Sequence, residues 1–137
     1  MRANPTEQLE APVTDLGSSG YCDLAAFVLR ELYPDAPLYR ITDAAGIRFA
    51  HVFLRVGERE LDIDGFCPPG VMLRRFWEDG FRNEETSAES VETYFLGHGR
   101  KLEETRIITQ RFRDHIHNNP DHFSPPAQTE GSLSLPS

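Results

Sequence analysis

Cys22, His51, Asp62 and Asp64 are the side chains of this 137-residue chain whose types and order combine into a reaction. A thiol can attack a carbonyl, an imidazole can move its proton, and a carboxylate can hold the imidazole in place. Cys22 stands where SSGYCDLAAFVLRELYP turns from loop into helix. A thiol there meets the positive end of the helix dipole and unpaired backbone N–H groups, which favour a thiolate and can hold an oxyanion. Taken alone, a cysteine in such a stretch is more often a small core residue. His51 lies within the apolar run Phe49-Ala50-His51-Val52-Phe53-Leu54, where an imidazole is costly unless its nitrogens find partners. A hydrogen-bonded structural histidine is the ordinary outcome for that residue by itself. Asp62 and Asp64 follow in ERELDID and share one strand face with His51, so either can accept a hydrogen bond from the ring. The ordered set outweighs its members.

The elements around these residues are legible as patterns. A central helix is expected from Tyr21, capped by Ser18, Ser19 or Gly20, with Asp23 in its first turn and Pro34 ending it. Leu24, Phe27, Val28 and Leu32 form one stripe with Ala25, Ala26 and Leu29 beside it, and the two alanines would let a sheet approach the sulfur closely. Strands are expected over Leu38–Thr42, Ile47–Val56 and Glu58–Asp64, the last two joined by a tight turn at Gly57-Glu58. Alternation puts Val52, Leu54, Val56, Leu61 and Ile63 on a core face, and His51, Phe53, Arg55, Glu60, Asp62 and Asp64 on the other. That turn sets Arg55 opposite Glu60, and His51 opposite Asp64 and diagonal to Asp62; a turn one residue earlier sets His51 opposite Asp62. GFCPPG is expected to break the sheet, leaving Cys67 as a passive loop residue. Helices follow over Val71–Glu78 (apolar at Leu73, Phe76 and Trp77), from Ser87, and over Leu102–His117 with Ile107, Ile108, Phe112 and Ile116 as its buried stripe. Residues 1–14 read as a flexible arm, 15–118 as one domain and 119–137 as a disordered tail rich in Pro, Ser and Asn. The class is α+β: a cysteine-bearing central helix on a small antiparallel sheet, with further helices C-terminal.

The stretches GYCDLAAFVLRELYP, AHVFLRV and ELDIDG together resemble the cysteine–histidine–aspartate core of the papain-like superfamily, most nearly its compact transglutaminase-like bacterial or phage members. The resemblance spans Gly20 to Gly65. It implies a papain-like fold in which Cys22 is the nucleophile, His51 the general base and acid, and Asp62 the orienter. Asp62 is preferred to Asp64 because the family's aspartate usually follows an apolar strand residue and precedes a turn, as Leu61-Asp62 does. The implied activity is that of a cysteine hydrolase or acyl transferase acting on an amide: a peptidase, deamidase or transamidase working through a thioester. The tryptophan often found near the transglutaminase site has no match, since Trp77 is the only one, which argues against crosslinking.

Composition narrows the partners. With 14 basic against 22 acidic side chains the net charge is -8, which argues against nucleic acid, and a protein or peptide substrate is expected instead. No apolar run is long enough for a membrane span, and the N-terminal stretch has no apolar signal core. A cytoplasmic protein is expected, or an effector delivered without a conventional signal peptide. Cys22 and Cys67 are too few for a disulfide framework. Cys22, His51, Cys67 and an Asp lack the Cys-x-x-Cys or paired-His spacing of a zinc site, so no metal or other cofactor is expected. The competing reading is a non-catalytic binding or regulatory module built on the same fold, its acidic surface and terminal arms serving to dock a partner.

Overall fold

Alternating apolar residues in LYRIT and FAHVFLRV give the two strands on which the fold is built. The computed structural model describes residues 11–125 apart from Ser19, Trp77, Glu78, His98 and the Ser18 side chain, so the expected Ser18 and Ser19 caps, the helix end at Trp77 and Glu78, the arm over residues 1–10 and the tail over residues 126–137 lie outside it. Strands β1 (Leu38–Thr42), β2 (Phe49–Val56), β3 (Arg59–Asp62), β4 (Gly65–Cys67) and β5 (Arg82–Thr86) form one sheet in the order β4-β3-β2-β1-β5, and every pairing is antiparallel. Helices α1 (Val13–Ser18), α2 (Cys22–Leu32), α3 (Val71–Arg75), α4 (Ala88–Leu96) and α5 (Leu102–Asn118) surround it, followed by a short 3-10 helix, Pro120–Phe123. The class is α+β.

Both faces of the sheet are covered. Leu24, Ala25, Ala26, Val28 and Leu29 of α2 pack with Val52, Leu54, Leu61 and Ile63 of the sheet and with Ile108, Phe112 and Ile116 of α5 in the main core. Ala25 and Ala26 are almost fully buried, and their small side chains let α2 lie close on β2 and β3. A smaller core of Ile41, Phe53, Cys67 and Met72 fills the opposite face beneath α3. Glu60 is fully buried there and accepts hydrogen bonds from the Gly70 and Met72 N–H groups at 3.0 and 2.9 Å, which fastens the Pro68–Met72 segment to the sheet. The β2–β3 turn falls at Gly57-Glu58, and Arg55 pairs with Glu60 across the ladder.

Several expectations are corrected. The sheet has five strands rather than three. β5 carries only polar residues, and its ladder with β1 is reinforced by an ion pair between Arg40 and Glu84, so no apolar alternation marks it. GFCPPG does not break the sheet at once. Ile63-Asp64 turns the chain, Gly65 adopts φ +104, and Cys67 enters the second core from β4 instead of lying in a loop. The arm before residue 15 already contains the start of α1, whose Leu16 is buried. At the other end the chain stays folded past Asn118, because Phe123 is buried in the main core and its carbonyl accepts from the Tyr33 hydroxyl at 2.6 Å. Among the described residues no helix is long and apolar enough to cross a membrane.

Candidate active site

Cys22 is the first residue of α2. The cap is Tyr21 rather than a serine or Gly20, and it supplies no side-chain hydrogen bond to the first turn. Its carbonyl accepts instead from the Leu24 and Ala25 N–H groups. Asp23, read in the sequence as a partner for the helix dipole, is buried and ion-paired with Arg100.

His51 lies on β2 beyond the ladder with β3, which runs from Leu54–Leu61 to Val56–Arg59. Its ring is 1% exposed. Nε2 is 2.8 Å from Asp62 Oδ2. Asp62 ends β3, and its other oxygen accepts from the Asp64 N–H at 2.9 Å, so both carboxylate oxygens are occupied and the side chain is fixed. A carboxylate can only accept, so Nε2 carries the proton and Nδ1 is the nitrogen left to act. Nδ1 has no hydrogen-bond partner among the described residues. Asp64, the other candidate orienter, is exposed, and its carboxyl is pushed up by partial burial and by the nearby Asp62 charge.

Cys22 and Asp62 both act on the same imidazole. Burial opposes the charged ring, but the Asp62 hydrogen bond and the charges of Cys22 and Asp62 nearby overcome it and raise the His51 pKa to about 9. The ring plane is held from one side by Phe76, stacked at 4.1 Å between centroids and 15°, with Phe53 further off at 6.2 Å. Phe76, just after α3, was legible in the sequence only as an apolar helix residue. Nothing there tied it to His51, because the contact depends on Glu60 fastening the segment that precedes α3.

Cys67 stays a free thiol in the opposite core, and burial pushes its pKa up. No group of three or more His, Cys, Asp or Glu side chains suited to a metal occurs among the described residues. His122 belongs to the 3-10 helix, and its Nε2 lies 2.5 Å from the Asp64 carbonyl oxygen. No family model, curated protein or solved structure matches the chain. The chemistry of the site is therefore read from its own side chains.

Proposed function

We propose that the protein is a cysteine-dependent enzyme acting on amides, of papain-like type, with Cys22 as nucleophile, His51 as general base and acid, and Asp62 as orienter. One observation carries this reading: Asp62 holds one nitrogen of a buried imidazole, the other nitrogen has no hydrogen-bond partner among the described residues, and Cys22 stands at the start of the central helix. The order of cysteine on helix, histidine on strand and aspartate on the next strand, within an α+β fold, is what the resemblance to that superfamily leads one to expect. His51 draws the proton from Cys22, and the thiolate adds to the carboxamide carbon. The leaving amine departs with the proton carried by His51, giving a thioester. Water attacks the thioester to complete hydrolysis or deamidation; an amine attacks it to complete transfer. A protein or peptide amide is the substrate class proposed.

Iodoacetamide labelling of Cys22 across pH tests the pairing. Cys22 is expected to label readily at neutral pH, and His51→Ala to remove that reactivity. A free-thiol profile unaffected by His51→Ala sinks the enzyme reading.

A second reading draws on the closure of the site, with Cys22 5% and His51 1% exposed. It makes the fold a non-catalytic binding module with a structural dyad. Cys22→Ala then leaves the protein's cellular effect intact, whereas the enzyme loses it.

A further inference from the structure

Arg100 reaches back from the segment between α4 and α5 onto the residues on either side of Cys22. Its Nη1 donates to Asp23 Oδ2 and its Nη2 to the Gly20 carbonyl, both at 2.6 Å. Its guanidinium also lies 5.0 Å from the centroid of the Tyr21 ring and 5.2 Å from that of Phe95. The pair is largely withdrawn from water, the Arg100 and Asp23 side chains being 11% and 3% exposed. Gly20 sits at φ +121, a conformation side-chain-bearing residues rarely adopt. The N–H that follows its carbonyl, on Tyr21, donates to Leu16 O at 3.2 Å. The Gly20–Tyr21 peptide is thus tied at both ends, and the next residue is Cys22.

We propose that Arg100 is a positioning residue for the nucleophile: its two-armed contact with Gly20 and Asp23 fixes the turn that aims the Cys22 sulfur at His51. This rests on the enzyme reading above. An ion pair formed only to hold α2 needs one arm on Asp23. The second arm, on a backbone carbonyl two residues before the cysteine, matches the planar fork of a guanidinium and cannot be reproduced by a single ammonium. The helix has no side-chain cap at Tyr21, so this clamp from a distant loop defines how the chain enters it. Thiol reactivity is sensitive to such aim, since a displacement of about 1 Å at a reacting centre costs on the order of 100-fold in rate.

The test is the rate of Cys22 labelling by iodoacetamide against pH, resolved by mass spectrometry from Cys67, which reports loosening of the opposite core. Arg100→Ala is expected to slow Cys22 labelling at neutral pH by about ten-fold or more, with the Cys67 rate and the circular dichroism unchanged. A cavity of about 270 Å³ lined by Arg100, Asp23, Phe27 and Phe95 gives ethylguanidinium a route to the vacated place, so millimolar ethylguanidinium restores part of the Cys22 rate. Arg100→Lys keeps the charge but only one arm and falls between. A wild-type Cys22 rate in Arg100→Ala, or a rise in labelling of both cysteines, overturns the proposal. If Arg100→Ala does not fold, Arg100→Lys decides by the same criterion: a slower Cys22 at an unchanged Cys67 supports the clamp, and an unchanged Cys22 rejects it. His51→Ala, run in parallel, separates the two claims. Unchanged Cys22 reactivity in His51→Ala defeats the enzyme reading; a loss there with none in Arg100→Ala defeats the clamp alone.

Discussion

The His51 ring is charged through its neighbours, so its titration reports on each of them. Burial by itself lowers an imidazole pKa, and the rise to about 9 comes from Asp62 and Cys22. Cys22→Ala removes one of the two supports and Asp62→Ala the other, so both are expected to bring the His51 pKa down, while Asp64→Ala changes it less. Imidazole carbon-bound proton shifts followed by NMR across pH check this, and a Cys22→Ala titration identical to wild type would mean the thiol and ring are not coupled. These residues were legible in the sequence because a histidine in an apolar strand and a cysteine at a helix start are chemically out of place. Parity put Asp62 on the face of His51, whereas Asp64 lies in the turn beyond the strand. The choice between them depended on the turn register and on the Asp62 carboxylate also bonding the Asp64 N–H, which no alternation pattern encodes. Arg100 was illegible for a plainer reason. Its partner Asp23 is 77 positions away, and an arginine in a loop between two helices carries no local signal.

At the scale of elements, apolar periodicity located the strands and helices that bury a face, and missed those that do not. β1, β2 and α5 were read nearly to their ends, whereas β5 is polar throughout and joins the sheet through backbone pairing and the Arg40–Glu84 pair. Glu60 shows how much a polar residue can organise. From β3 it accepts two backbone N–H groups ahead of and within α3 and a longer contact from the Asn83 amide of β5, with Arg55 3.8 Å away. Its role was visible in the sequence only as a cross-strand mate for Arg55. Removing a fully buried carboxylate leaves those donors without an acceptor, a loss of about 3 kcal/mol or more. Glu60→Ala is therefore expected to lower the urea midpoint markedly and to free the segment that carries Phe76 over His51. Hydrogen exchange at the Gly70 and Met72 amides measures the second effect, and exchange as slow as in the wild type would show that Glu60 does not anchor α3.

For the molecule as a whole, the folded unit extends past Asn118 because of one aromatic side chain. Phe123 is buried to 1% exposure, so Phe123→Ala is expected to cost about 3–5 kcal/mol, the usual range for deleting a buried aromatic. Denaturant titration of that variant checks it, and a loss under 1 kcal/mol would return the segment to the status of a tail. The pH dependence of stability integrates the site over the entire fold. His51 has a folded pKa of about 9 against an ordinary 6.5, so below about pH 6.5 folded and unfolded chains both carry its proton. Between these values only the folded chain holds it, and the unfolded chain binds fewer protons. Stability then falls as pH rises, by at most about 1.4 kcal/mol per pH unit. Asp23 and Asp64 act in the same direction at lower pH, because burial raises both carboxyls and the unfolded chain ionises first. Glu31 and Glu84, lowered chiefly by hydrogen bonds from Arg113 and Arg40, oppose this only weakly, since surface pairs are screened. Chemical denaturation at pH 6, 7.5 and 9 is thus expected to show the wild type losing stability across the series. His51→Gln, which has no proton to lose in that range, should show a flatter profile whatever its absolute stability. Equal slopes for the two proteins would mean that folding takes up no net proton at the site.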